Sequence, residues 1–499
     1  MKSYLESMVR MLDPNLRYPV IGDTRAESGL DDAYAEILAD HYGGRYAGLL
    51  ERAQGALLSE KGSEYALWHR DPDLKAEKAL DLPLCSEWFP GWRVAVLRGG
   101  PASGHTAFYL NGYSHGGHRH ADTLGIIYVA HGQEMAADRG YIWDDPRNAW
   151  TRSTLAHNLV TVDGASQNGK GCGSTLELFG RGAGVEVVQA SANAYSQCDR
   201  YQRTCALVQI PGDRTYAVDL FRVRGGKLHQ YTLHCNGGLI GIPGAELTPV
   251  DEKIEWLSNL RETRPSGAFR ATWEDRGVQM TLTLLNPIHR LLVADAPGWR
   301  SNVGSELHAP PVQEILAERR DESLTVSQFA AVMSPYTGGS SPVLSARLIV
   351  DDPDNGDMAV AVEREEGTDY LLSSPRGGAR QYGPVVMAGR FGFVSVDPKG
   401  RLLRAYLLNG AELRFGDQKL ALSWARMPLR VASVEGRTFS LKEDIPEDMP
   451  PVGAYLLAGG TGYEIESAAG RSITVRDYPA LACEVVEVLN SRETRRYVW

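Results

Sequence analysis

The chain has 499 residues, 43% apolar and 23% charged, the make-up of a globular protein with a large core spread over two or three domains. Its 62 acidic residues outnumber 52 basic ones for a net charge of −10, so the overall field repels nucleic acid and anionic membrane surfaces. No apolar run reaches the roughly 18 residues of a membrane-spanning helix. The six cysteines (Cys85, Cys172, Cys198, Cys205, Cys235 and Cys483) have neither metal-binding nor disulfide-framework spacing and read as free thiols.

Helices are expected up to about residue 80. Ser3 and Glu6 have the spacing of a capping box, and Leu5, Met8, Val9 and Leu12 follow at helical intervals. Leu30, Tyr34, Ile37 and Leu38 form a second stripe. Tyr46, Leu49, Leu50, Ala53 and Leu57 form a third, separated from the second by Gly43-Gly44. No helical pattern follows downstream, so these apolar faces are expected to remain broadly exposed.

From about residue 86 the period becomes two. Residues 93–98 and 124–129 read as strands, with a His131-Gly132 turn leading into 134–138. Residues 159–162 end at Asp163-Gly164, a hairpin-type turn. Residues 204–210 and 215–221 flank Pro211-Gly212-Asp213, and further strands are expected at 279–285, 390–396 and 401–408. This spacing predicts a mainly β protein built from stacked antiparallel sheets. The expected divisions are a helical segment at 1–82, a large antiparallel β-sandwich at 83–350 and a further β-rich region at 351–499. Asp351 to Gly356 reads as a loop at the last boundary.

Six of the twelve histidines fall between residues 105 and 157. On a strand, His118 and His120 would share one face and Arg119 would point away. Asp138 would lie on the partner strand of the predicted hairpin, and His157 just before another. Two imidazoles and a carboxylate from adjacent strands suit a tetrahedral ion, for which zinc is the natural choice. Asp122 is placed to accept an N–H from one of the ligand rings. Each histidine alone also reads as a hydrogen-bonded packing residue. His115 and His131 fit turns, His105 is open to either reading, and His229 and His234 read as structural.

Two other chemistries fit the same stretch. His120, Asp122 and His157 match the two-histidine, one-carboxylate pattern of non-haem iron oxygenases, which leaves His118 and Asp138 without roles. Glycoside hydrolysis needs two nearby carboxylates, and the Asp144-Asp145 pair reads as a turn before Pro146. Arg119, Arg139, Arg147 and Arg152 give the segment local positive charge; each alone reads as a surface or ion-pair residue. Arg119 and Arg152 are the candidate contacts to an acidic substrate.

Three blocks carry a resemblance. They are His118-Arg-His120-Ala-Asp122-Thr-Leu, Gly132-Gln-Glu-Met-Ala-Ala-Asp138-Arg-Gly-Tyr141, and residues 153–167 from Ser-Thr-Leu-Ala-His157-Asn onward. In order and gaps this sequence resembles the heparinase II/III family of polysaccharide lyases. Asp219 to Gly226 followed by His234, and residues 329–336, extend the likeness to about residue 345. The resemblance implies an N-terminal α/α toroid joined to a β-supersandwich, with the substrate groove between them. It also implies β-elimination at a uronic acid of an acidic polysaccharide, with no organic cofactor. The C5 proton is weakly acidic, so the uronate carboxylate must be neutralised, a base must take the proton, and an acid must protonate the departing O4.

On this resemblance His118 matches the groove-facing catalytic histidine, and His120, Asp138 and His157 match a structural metal site. A tyrosine helped by histidine and asparagine, from the toroid upstream of the segment resembling residues 17–23, would complete the apparatus. Here that region is almost absent, and Tyr4 and Tyr18 lack the surrounding pattern. Residues 1–82 would be a remnant of the toroid. Open alternatives are a piece of a longer lyase, a half-enzyme completed by an upstream helical domain or separate chain, and a non-catalytic carbohydrate-binding descendant. An enzyme with a rearranged acid/base, such as Tyr109 or Tyr113, is a fourth. The expected partner is an acidic polysaccharide (heparan sulfate, hyaluronan, chondroitin or alginate), with neither nucleic acid nor membrane. The resemblance implies a periplasmic or secreted setting, although no apolar signal core follows Met1-Lys2-Ser3.

Overall fold

Helices α1 (Lys2–Met11), α2 (Asp32–Tyr42), α3 (Gly44–Gln54) and α4 (Glu64–His69) open the computed structural model. It describes residues 2–77, 85–100, 106–113, 117–169, 173–212, 214–301, 307–322, 325–446, 452–479 and 483–495. His105, His115 and Cys172 lie outside the described residues. Asp31 caps α2 by accepting the Ala33 N–H at 2.8 Å. Gly55, in the left-handed region, ends α3.

The expectation of broadly exposed helical faces is corrected. Val9, Leu12, Leu38, Leu49 and Leu50 are all buried in one cluster that also takes in Leu16 and Leu30 from the loop between α1 and α2. The helices cover one another because that loop folds back over them. Among the described residues of this part, the exposed large apolar side chains are Tyr34, Leu57, Leu67 and Trp68.

The first sheet is a five-stranded antiparallel meander of β1 (Glu87–Phe89), β2 (Val94–Gly99), β3 (Thr106–Asn111), β4 (Ile126–Ala130) and β5 (Gln133–Ala136). It carries the helical segment: Arg98 Nη2 donates to the carbonyls of Arg10 and Leu12 at 2.6 and 2.7 Å, and Tyr109 Oη donates to that of Met11 at 2.9 Å. Tyr109 is therefore fully buried, and burial pushes its phenol well up, which removes it as a candidate acid/base.

Behind this sheet lie an eight-stranded sheet and a six-stranded sheet whose edge strand is β6 (Val160–Val162). Asp163 and Gly164 at the end of β6 both have positive φ, 56° and 65°, the geometry of the expected tight turn. The eight-stranded sheet contains Arg200–Ile210 and Arg214–Arg224, paired in register as the sequence pattern predicts. At their centre, fully buried Arg203 holds Asp219 through two bonds of 2.8 and 2.6 Å. Its Nη1 donates to the carbonyls of Leu124 and Asn158 at 2.6 and 2.7 Å, binding two site loops to the core.

The C-terminal part is a further eight-stranded sheet and a closed six-stranded barrel. The loop expected at Asp351 to Gly356 is corrected in part, because a strand runs over Ser345–Asp352 and only Pro353 to Gly356 form the turn into the paired strand Asp357–Arg364. Buried Arg222 joins this sheet to the sandwich, donating to Gly356 O at 2.6 Å and Ser373 Oγ at 2.8 Å. Among the described residues no helix is long and apolar enough to cross a membrane.

Candidate metal centre and groove

Asp138 follows β5 by two residues, and His157 sits between a short 3-10 turn (Thr154–Ala156) and β6. His120 lies in an irregular loop after β3. The expected strand through His118 and His120 is absent, so their convergence does not come from strand alternation. Both instead reach Asp23, in the loop between α1 and α2: His118 Nδ1 lies 2.7 Å from Asp23 Oδ2, and His120 Nε2 lies 3.2 Å from Oδ1. Sequence reasoning missed Asp23 as a site residue because nothing local ties residue 23 to residue 118. Its only signal was its place in the family-like stretch 17–23.

Close backbone approach makes this contact. The Asp23 N–H donates to His118 O at 3.1 Å. At Gly22, with φ of +57°, an added Cβ would come 2.5 Å from the same oxygen, so the crossing admits only glycine there. Gly140, with φ of +63°, is packed between the two parts in the same way, 2.8 Å (from its would-be Cβ) to Thr24 O and 3.1 Å to Arg300 O. Burial alone would raise the Asp23 carboxyl; hydrogen bonds from His120 and His118 outweigh it and hold the group below the usual carboxylate range.

The structure brings one potential ligand atom each from His120, Asp138 and His157 within 4.8 Å of one another, all three residues buried. His157 Nε2 is 3.5 Å from Asp138 Oδ1. Bonds of about 2.0–2.2 Å to a tetrahedral zinc would put ligand atoms roughly 3.3–3.5 Å apart. The ring tautomers suit the same role. His157 Nδ1 donates to Ser153 O at 2.7 Å, leaving Nε2 a buried lone pair without a partner. With His120 Nε2 donating to Asp23, its buried Nδ1 is likewise unpartnered. Buried polar atoms without partners are costly, and a cation would satisfy both.

Asp122 Oδ2 stands farther from His157 Nε2, at 3.8 Å, and accepts Asn111 Nδ2 at 2.7 Å. Burial raises its carboxyl against the pull of His157 and His120. Its oxygen is engaged, whereas the cluster is completed by Asp138; this weighs against the oxygenase ligand set.

Arg119 and Arg152 are both exposed and line a groove of about 420 Å³ that ends on His120, Gln167 and Asn193. Arg152 Nη2 is steadied by Gly117 O at 3.3 Å and Arg119 O at 3.4 Å. The His118 side chain is 85% exposed beside this groove. Arg147 pairs with Asp145 at 2.7 Å, so the Asp144-Asp145 stretch is an ion-paired turn and no carboxylate dyad. Arg139, read from sequence as a surface or ion-pair residue, is fully buried instead. His229 bonds Ser327 Oγ and Gly225 O at 2.7 and 2.6 Å, a packing role, while buried His234 leaves both ring nitrogens unpartnered.

Residues 82–285 match the family model described as heparinase II/III-like, C-terminal. An alginate lyase of Stenotrophomonas maltophilia (strain K279a) is 24% identical over 168 residues, covering 30% of this chain and 23% of that protein. Heparan sulfate lyase HepC from Pedobacter heparinus superposes with a TM-score of 0.50 at 14% identity, over 74% of this chain and 52% of that one. A heparinase III structure gives 0.50 at 13%, over 74% and 53%. The chain thus spans about half the length of these solved relatives and under a quarter of the curated one. Over residues 82–285 the chain is similar to the C-terminal region of heparinase II/III-like proteins.

Proposed function

We propose that the chain is the sandwich-bearing part of a polysaccharide lyase that cleaves a uronate-containing polysaccharide by β-elimination. The observation that carries this reading is an exposed His118 clamped by Asp23 directly beside the buried His120, Asp138 and His157 cluster. In this reading those three residues hold a structural zinc, which would tie three loops together and fix the groove wall.

With Nδ1–H given to Asp23, His118 turns Nε2 to the groove, where it serves the C5 proton or the uronate carboxylate. Arg119 and Arg152 bind that carboxylate, lowering the cost of charge that builds on it as the proton leaves. The C4–C5 double bond then forms and O4 departs with a proton. The donor of that proton is proposed to lie on further helical structure, in the same polypeptide or in a separate chain. The greater length of the solved relatives supports this.

The test is ultraviolet absorbance of unsaturated uronate after incubation with heparan sulfate, hyaluronan, chondroitin or alginate, with and without a co-expressed helical domain. New reducing ends without unsaturation would overturn the elimination reading. Retention of polysaccharide with no cleavage in either format would leave a carbohydrate-binding protein.

A further inference from the structure

A second pocket, of about 520 Å³, lies where the N-terminal segment meets the sandwich. Asp13 and Arg17 reach it from the first part, and Arg139, Asn236, Arg276 and Arg300 from the second. Arg139 is fully buried, yet its guanidinium makes one hydrogen bond among the described residues, from Nη2 to Asn236 Oδ1 at 2.8 Å; Nε and Nη1 have no partner.

The acidic groups around the pocket are already engaged. Glu134 accepts Arg300 Nη2 at 2.5 Å and the Asp138 N–H at 3.2 Å. Asp13 Oδ1 accepts the N–H groups of Asn15 and Arg17, both at 2.8 Å. Asp275 lies 3.9 Å from Arg276. Glu314 is buried near Arg139 but beyond ion-pair distance. Burial pushes its carboxyl well up against the pull of Arg139, and among the described residues neither of its oxygens has a hydrogen-bond partner. Glu134, Asp138 and Glu314 pull on the Arg139 charge, yet none is hydrogen-bonded to its Nε or Nη1, and buried donors left unmatched are unfavourable unless a ligand brings acceptors.

We propose that this pocket is a second subsite, distinct from the His118 groove, that takes the carboxylate of an acidic sugar. Arg139 is its buried anchor, and Arg17 and Arg276 are its solvent-facing cations. The sugar part rests on the polysaccharide reading above; the need for an anion rests on Arg139 alone. Because the chain carries −10 overall, capture of an anion depends on such a local cation.

Calorimetry on the full chain with glucuronate, glucose and inorganic sulfate tests this. Glucuronate is expected to bind and glucose not. In an Arg119→Ala/Arg152→Ala background, which removes the carboxylate contacts proposed for the groove, Arg139→Gln is expected to weaken glucuronate by about tenfold or more. Should Arg139→Gln not fold, Asn236→Asp serves instead: it places a carboxylate against Arg139 and is expected to abolish glucuronate binding while raising the melting temperature. Glucuronate affinity that survives either substitution in that background, or that the background itself has already abolished, overturns the subsite. Sulfate binding as tight as glucuronate overturns the sugar assignment. Failure of the lyase reading shows separately, as absent unsaturated product with this binding intact.

Discussion

Asp23 Oδ2 lies 2.7 Å from His118 Nδ1, and the other oxygen of the same carboxylate faces His120 at 3.2 Å. One acidic residue from the helical segment thus orients both the exposed His118 and a ring of the candidate metal cluster. If His118 acts in elimination, Asp23→Asn should lower kcat about 10–100-fold, the usual cost of removing the partner that aims an active imidazole. KM should move little, because Arg119 and Arg152 stay in place. An equal drop in folding stability with kcat intact would show that Asp23 only fastens the two parts together.

Metal analysis of the purified protein should find about one zinc per chain, bound through two imidazoles and one carboxylate. Both His120→Ala and Asp138→Ala should lose the ion and melt at lower temperature. Chelation should reproduce the shift in the parent protein and leave the variants unmoved. Iron accompanied by oxygen consumption would favour the oxygenase alternative.

The buried Arg203–Asp219 pair is satisfied on every side, with Tyr231 Oη also donating to Asp219 at 2.8 Å. Removing one partner leaves the other charge stranded. Asp219→Ala should therefore cost about 3–5 kcal/mol in denaturant unfolding. It should also loosen the loops at Leu124 and Asn158, seen as faster amide exchange there. A loss under about 1 kcal/mol would mean the pair contributes little beyond what water could replace.

Asp13 offers a pH test. Its carboxyl is raised from 3.8 to about 6, chiefly by burial, against backbone hydrogen bonds from Arg17 and Asn15. The folded state therefore holds this proton more tightly than the unfolded state. The group's stabilising contribution is complete below the unfolded value of 3.8 and is lost as pH rises through about 6. Asp13→Asn keeps the Oδ1 acceptor but carries no charge. It should be more stable than the parent by about 1–3 kcal/mol at pH 7, with the gap closing near pH 4. A gap independent of pH would show that the carboxyl is not the cause.

What was legible in the sequence was local. The tight turn at Asp163-Gly164 and the paired strands around residues 200–224 each follow from residue types within one or two elements, whereas the grouping of His120, Asp138 and His157 came from the family resemblance, since the expected strand through His120 is absent. What was not legible depended on long-range approach. The carboxylate at residue 23 meets a histidine nearly a hundred positions away through a glycine-only crossing, which no periodicity records. Arg139 has nothing local to set it apart from Arg147 and Arg152, and it is buried against Asn236, nearly a hundred positions away. The helical stripes were read correctly as apolar, but the loop that folds back over them has no pattern of its own. The strand through Asp351 and Asp352 was obscured because two acids and a proline resemble a linker.

The family match begins at residue 82, whereas the residue that aims His118 stands at 23. An excised sandwich starting at the match would keep the three candidate ligands yet release His118 from the carboxylate that holds it. Dissecting or swapping modules in this protein must therefore carry the α1–α2 loop along with the β part. Exchange between homologues has to preserve a matched pair of segments, not one domain.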